Sequence, residues 1–329
     1  MDFGLYVGTV GTSMWSSEDL GQSWARPIDA GLYLECRVFS LTTQPAYGVS
    51  VLAGTDQGVY RWHGAEKRWE HLPSVLDEFP IWSLVQSPHE RNVLLAGTRP
   101  AALFRSEDAG RSWTRLPVEF PPHCRAVERP RVTQILFDPH DPLAVWAGVE
   151  IDGVYRSTDG GRTWAKRIEG LISDDIHGLA VVRDNGRRKL FATTNKGLHL
   201  SLDNGESWQF RQLDSEWQYT RAIVERADGQ GTIFLSNGNG PPGSTGRLLR
   251  SRDYGETWSD ARLPGELNST LWCIAVHPSN PNLVFVCTNY GQLYLSEDGG
   301  DTWAKLKREF GEIRALLMRP LTSGQGATH

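Results

Sequence analysis

The side chains able to do chemistry in this 329-residue sequence are not gathered in one motif. Arg37, Arg131, Arg221 and Arg314 lie singly at or beside short apolar segments of similar composition. Brought together, such guanidinium groups would clamp a carboxylate, phosphate or sulfate, because the planar fork pairs with two oxygens at once. Trp82, Trp272 and Tyr219 hold comparable places and could stack on a sugar ring or another planar ligand. His177, two residues after Asp175, is a candidate acid/base with an orienting partner. Asp56 and Glu150 are candidate carboxylates for hydrolysis or lyase chemistry. Asn195, Asn237, Asn289 and Tyr290, all in short loop segments, complete the candidate binding set. Each type also has a plainer use: an arginine paired with a neighbouring acid, a structural histidine, a tryptophan in a core.

A repeat is what would bring these scattered residues to one place. The pattern S-x-D-x-G-x-[ST]-W occurs six times, at 17–24, 106–113, 157–164, 201–208, 251–258 and 296–303. The segment RWHGAEKRW, ending at Trp69, keeps the tryptophan and has lost the rest, so it reads as a decayed seventh copy. The tryptophans are then 44 to 51 residues apart. Within each period an alternating apolar segment (IWSLVQSP, VTQILFDP, LWCIAVHP) is followed by a second strand, a third with an aromatic step, the box, and a fourth strand opened by its Trp. A mid-forties period of four antiparallel strands predicts an all-β, seven-bladed β-propeller. The C-terminal EIRALLMRP is a first strand without successors, and the N-terminal LYVGTVGTSMW supplies later strands without a first. Joined, they would make one blade and close the ring, giving a single domain over 1–320 and a disordered tail over 321–329.

The box itself reads as framework. Its Asp can tie a turn by accepting backbone N–H groups, its Gly supplies an unusual backbone conformation, and its Trp fills space between blades. A calcium loop would need further oxygen ligands and a distal Glu, which the spacing lacks.

With these six copies the chain resembles the Asp-box, or BNR-repeat, superfamily over nearly its whole length. That superfamily includes sialidases and other glycoside hydrolases, xyloglucan-active enzymes, sortilin-type receptors and photosystem II assembly factors. The resemblance implies a propeller and leaves the activity open. Sialidases are six-bladed and carry an Arg-Ile-Pro tripeptide that this sequence does not have. The layout is more similar to assembly-factor-like and sialidase-like bacterial proteins with seven blades.

Aligning the first strands puts Phe39, Trp82, Thr133, His177, Arg221, Trp272 and Arg314 at one mouth of the axial channel, opposite the box turns. Two insertions, 116–131 and 237–246, fall on the same face. The expected function is an axial pocket for a small anionic molecule, with hydrolase or lyase chemistry on a sugar acid or related metabolite. The alternative is a non-catalytic assembly propeller that grips an acidic peptide or partner protein. No cofactor is expected; no HExxH, CxxC or phosphate loop is present, and a divalent metal held by scattered His and Asp residues stays open. A net charge of −5 argues against nucleic acid and anionic membranes as partners. No apolar run is long enough to span a bilayer, and the opening residues lack a signal-peptide pattern, so the expected compartment is the cytoplasm. The four cysteines, irregularly spaced, read as free thiols.

Overall fold

The computed structural model describes residues 3–26, 30–44, 50–64, 66–124 and 127–320. The tail expected over 321–329 lies outside them. Among the described residues the strands form seven antiparallel sheets, six four-stranded and one three-stranded. The innermost strands are Val38–Gln44, Ile81–Gln86, Val132–Asp138, Ile176–Asp184, Tyr219–Glu225, Leu271–Val276 and Ile313–Pro320. Each packs against the innermost strand of the next sheet, so the seven form a ring. The protein is a seven-bladed β-propeller.

The ring closes as the repeat predicts. Phe3–Thr9 pairs antiparallel with Ile313–Pro320, Phe3 opposite Pro320 and Thr9 opposite Ile313. Met14–Ser17 is the third strand of that blade, and a single bridge from Ser16 to Ala25 stands where the fourth would run.

The box turns show why the same letters recur. In the 157–164 copy, the Ser157 hydroxyl donates to Asp159 Oδ1 at 2.7 Å and accepts the Gly161 N–H at 2.8 Å. Asp159 accepts the Thr163 N–H at 2.9 Å and the Thr163 hydroxyl at 2.6 Å. The Trp164 indole N–H returns to the Gly161 carbonyl at 3.2 Å. Gly161 has φ +88°, and a Cβ there would come within 2.8 Å of Leu95 on the preceding blade. The glycine is required twice over, by backbone sign and by blade packing. The cores lie between blades: Trp146, fully buried, packs among Ile176, Leu190 and Trp208.

Carboxyls of two kinds give opposite pH slopes. At Asp159, burial pushes the carboxyl up but is outweighed by the Thr163 and Ser157 hydrogen bonds, which hold it at about 2. Asp298 behaves alike, and Asp19 is held there chiefly by Ser23. A carboxyl titrating lower in the fold than in the unfolded chain stabilises above about pH 4, and that contribution is lost as pH falls toward 2. Melting curves should therefore decline steeply on the acid side, and less so for Asp159→Asn. Glu225 is the reverse case. Burial pushes its carboxyl up from 4.5 to about 7, with Asp228 adding to the rise and the Gly231 N–H opposing it. Its contribution is present below about pH 4.5 and is lost as pH rises through about 7. Glu225→Gln should raise the melting temperature at pH 8 and leave it nearly unchanged at pH 5; equal effects at both would rule out this titration.

Candidate functional site

The site begins with how the first strands enter the ring. Several innermost strands are stapled to the next near their starts. The Ser40 hydroxyl donates to the Ile81 carbonyl at 3.0 Å, that of Thr133 to Ile176 at 2.7 Å, and the Cys273 thiol to Arg314 at 3.3 Å. Gln134 reinforces the Thr133 gap with its side-chain amide, accepting the Leu179 N–H at 2.7 Å and donating to its carbonyl at 3.1 Å. These staples fix the strand starts around a cavity of about 350 Å³ on the axis. All seven aligned positions line it: Phe39, Trp82, Thr133, His177, Arg221, Trp272 and Arg314.

Three guanidiniums and two indoles interleave there. Arg221 lies 3.3 Å above the Trp272 ring, and Arg131 3.9 Å above Trp82. Arg314 bridges the two indoles, 4.6 Å from Trp272 and 5.6 Å from Trp82. Phe39 stacks against Trp82 at 4.6 Å between centroids and 17° between planes. The tryptophans therefore present stacked faces to guanidiniums, and they orient those forks by cation–π attraction.

The carboxylates at the mouth are already engaged. Glu150, buried, pairs with Arg131 at 2.5 Å, and Glu312 pairs with Arg314. Asp175 Oδ2 lies 3.3 Å from His177 Nε2, and His177 Nδ1 faces the Thr220 carbonyl at 2.7 Å. Each ring nitrogen of His177 thus faces an acceptor of the protein itself. Arg221 donates to the Tyr219 hydroxyl at 3.0 Å and, among the described residues, has no carboxylate within ion-pair distance. Arg314 Nε and Nη1, and Arg131 Nε, are buried without a hydrogen-bond acceptor.

The crowding of positive charge has a measurable sign. Burial lowers the Arg131 guanidinium to about 10, with Glu150 opposing and Arg221 and Arg314 adding to the fall. Arg314 is lowered by burial and by Arg221. For Asp175, burial pushes upward, but the His177 hydrogen bond and charge, then Arg221 and Arg131, hold it below the usual carboxylate range.

Other candidates stand further from the axis. Arg37 is exposed, and its backbone N–H donates to Asp56 Oδ1 at 3.0 Å. Asp56 also accepts the Tyr33 hydroxyl, so its carboxylate ties the strand entry together. Asn237 is fully buried; its amide donates to the Trp217 and Tyr219 carbonyls at 2.9 Å and accepts from Ser215 at 2.6 Å. Asn195 accepts the Ser173 hydroxyl at 2.6 Å beside a separate surface hollow. Asn289 is buried, with Nδ2 lacking an acceptor, and its carbonyl holds the Ile313 N–H at 3.0 Å. Tyr290 stands half exposed at the rim. In the 237–246 insertion, the Pro242 carbonyl accepts the Thr270 N–H at 2.8 Å, which docks this loop on the next strand's entry. Residues 125 and 126 of the other insertion lie outside the described set. The cavity also takes in Cys273 and Gln134, which alignment on the mouth positions passes over by one residue. Among the described residues no group of three or more His, Cys, Asp or Glu is placed to hold a metal ion. No helix among them is long and apolar enough to cross a membrane.

The chain is a seven-bladed β-propeller that carries six copies of an Asp-box-like repeat. The family model for the BNR/Asp-box repeat matches residues 155–166. A xyloglucanase of Paenibacillus sp is 25% identical over 309 residues, which cover 78% of this chain and 30% of that enzyme. The chain therefore spans less than a third of that relative's length. The photosystem II assembly lipoprotein Ycf48 of a Synechococcus species is 22% identical over 299 residues, covering 90% of this chain and 80% of that protein. A solved structure of YCF48 bound to D1 peptide superposes with a TM-score of 0.57 at 15% identity, over 87% of this chain and 93% of that one. At that identity the likeness is one of fold.

Proposed function

We propose that this propeller is a binding protein whose axial mouth captures a carboxylate-type anion. The observation that carries the reading is the set of three guanidiniums held against two indoles with buried N–H groups left unpartnered. A buried donor without an acceptor costs roughly 1–3 kcal/mol, and an oxyanion entering the mouth would supply that acceptor. Sugar hydrolysis or lyase chemistry at this mouth is less well supported. A glycosidase needs two carboxyl groups free to face a substrate, whereas Glu150 and Glu312 each face a guanidinium and Asp175 faces the His177 imidazole. Trp82 and Trp272, with guanidiniums stacked on them, are poorly placed as open platforms for a sugar.

The second reading places the anion on an acidic peptide of a partner protein. It is favoured by the relative of the same fold that was solved with a peptide. Thermal melts with carboxylates, phosphate, sulfate, neutral sugars and an acidic peptide test the proposal. A carboxylate at a hundredfold excess over its dissociation constant should stabilise the fold by about 2.7 kcal/mol. Neutral sugars stabilising as well as carboxylates would sink the anion reading. Turnover of a sugar-acid glycoside would restore the hydrolase reading, and a response to the peptide alone would favour the assembly role.

A further inference from the structure

We propose that the anion taken by the axial cavity is amphiphilic: a monocarboxylate with its head among Arg131, Arg221 and Arg314 and an apolar body running down the channel. The inference rests on the anion-binding reading above and narrows it to a ligand class.

The wall of the cavity is graded along the strands. One step inward from the charged mouth, the lining residues are small (Ser40, Ser83, Ala222, Cys273 and Ala315) apart from Gln134, whose amide is engaged by the Leu179 backbone. One step further, they are aliphatic: Leu41, Leu84, Ile135, Ile223, Ile274 and Leu316. Two residues along a strand advance the wall by about 7 Å. The apolar ring is therefore within reach of a short chain whose carboxylate stays at the arginines. Leu41, Ile274 and Leu316 remain partly solvent-accessible although innermost strands surround them on all sides. That is apolar surface kept wet inside the protein, and a body that fills the channel removes it from water.

Charge and shape select against the competing ligands. Glu150 and Glu312 pair with Arg131 and Arg314, which leaves Arg221 as the guanidinium of the three with no carboxylate partner among the described residues, a place for a single carboxylate. Phosphate or sulfate would satisfy the donors and leave the aliphatic ring wet. A sugar acid would carry hydroxyls to the level of the aliphatic ring, where they lose water without gaining partners.

Calorimetric titration of the whole protein with acetate, butyrate and hexanoate tests this, with glucuronate and phosphate as comparators. Affinity should rise about three- to fourfold per methylene, on the order of a hundredfold from acetate to hexanoate. Ile274→Asn and Leu316→Asn should flatten that dependence while acetate still binds. Should those variants fail to fold, the wild-type series decides alone. Equal binding of acetate and hexanoate, or glucuronate binding tighter than hexanoate, would overturn the proposal and leave the anion site standing. No response to any oxyanion would overturn both.

Discussion

Arg314→Met is expected to lower oxyanion affinity by roughly a hundredfold while raising the melting temperature of the unliganded protein by roughly 1–3 °C. The two effects have one cause. Arg314 lies between two indoles with Nε and Nη1 buried and unpartnered, and burial together with Arg221 pulls its guanidinium below the ordinary range. A base titrating lower in the fold than in the unfolded chain has its charged form disfavoured by folding, so at neutral pH it costs stability. Methionine fills comparable space, makes favourable contacts to the rings, and removes the repulsion. Binding sites that store unfavourable charge trade stability for affinity in this way. A side chain that served only structure would show the opposite sign. Paired melts of both proteins, with and without butyrate, measure both effects, and a lower apo melting temperature in the variant would refute the argument.

The second large effect lies at the opposite end of an innermost strand. The side chain of Asp138 is fully buried at the end of Val132–Asp138. Its carboxylate lies 2.6 Å from Arg188 Nε and 3.3 Å from Arg183, both in the next blade, and accepts the His140 N–H at 2.7 Å. Its backbone carbonyl lies 2.8 Å from His89 Nε2 in the preceding blade. One residue thus ties three blades. Arg188 is itself partly buried over Trp146 at 5.3 Å and has Asp141 as a second partner at 3.0 Å. Removing one side of a buried pair leaves the other charge uncompensated, so Asp138→Ala should cost about 3–5 kcal/mol in urea unfolding. Asp138→Asn should cost less, because the amide still accepts the His140 N–H. A loss below about 1 kcal/mol for the alanine variant would mean Asp141 alone suffices to neutralise Arg188.

These two sites differ in how far the sequence exposed them. The ring of mouth residues was legible because the box is repeated at blade spacing, and one alignment then carries every first strand into register. The same alignment brought out Phe39, whose role as a stacking partner for Trp82 depends on where two neighbouring blades meet. Roles were much less legible than places. Nothing in the string shows that the indoles lie under guanidiniums, because a contact between blades depends on side-chain rotamers. Asn237 reads as a polar loop residue, yet its amide is consumed by two backbone carbonyls. Asp56 likewise reads as a free carboxylate and ties a strand entry. Asp138 carries no signal in the string, because a lone Asp before a turn is common and its importance comes from Arg183 and Arg188 arriving from another blade. The aliphatic ring was present as ordinary strand alternation, which periodicity assigns to core and cannot distinguish from a wetted channel wall.

The seam between Phe3–Thr9 and Ile313–Pro320 has a mechanical consequence. Antiparallel pairing places Phe3 beside Pro320 at one end of the seam. Tension applied between those two residues therefore loads the outermost hydrogen bonds one pair at a time, as in parting a zip, and does not shear all of them together. The ring should open at low force along this line while the other sheets, each built from consecutive stretches of chain, stay folded. In a single-molecule pulling trace, a first small rip the length of the seam would precede the larger events of individual blades.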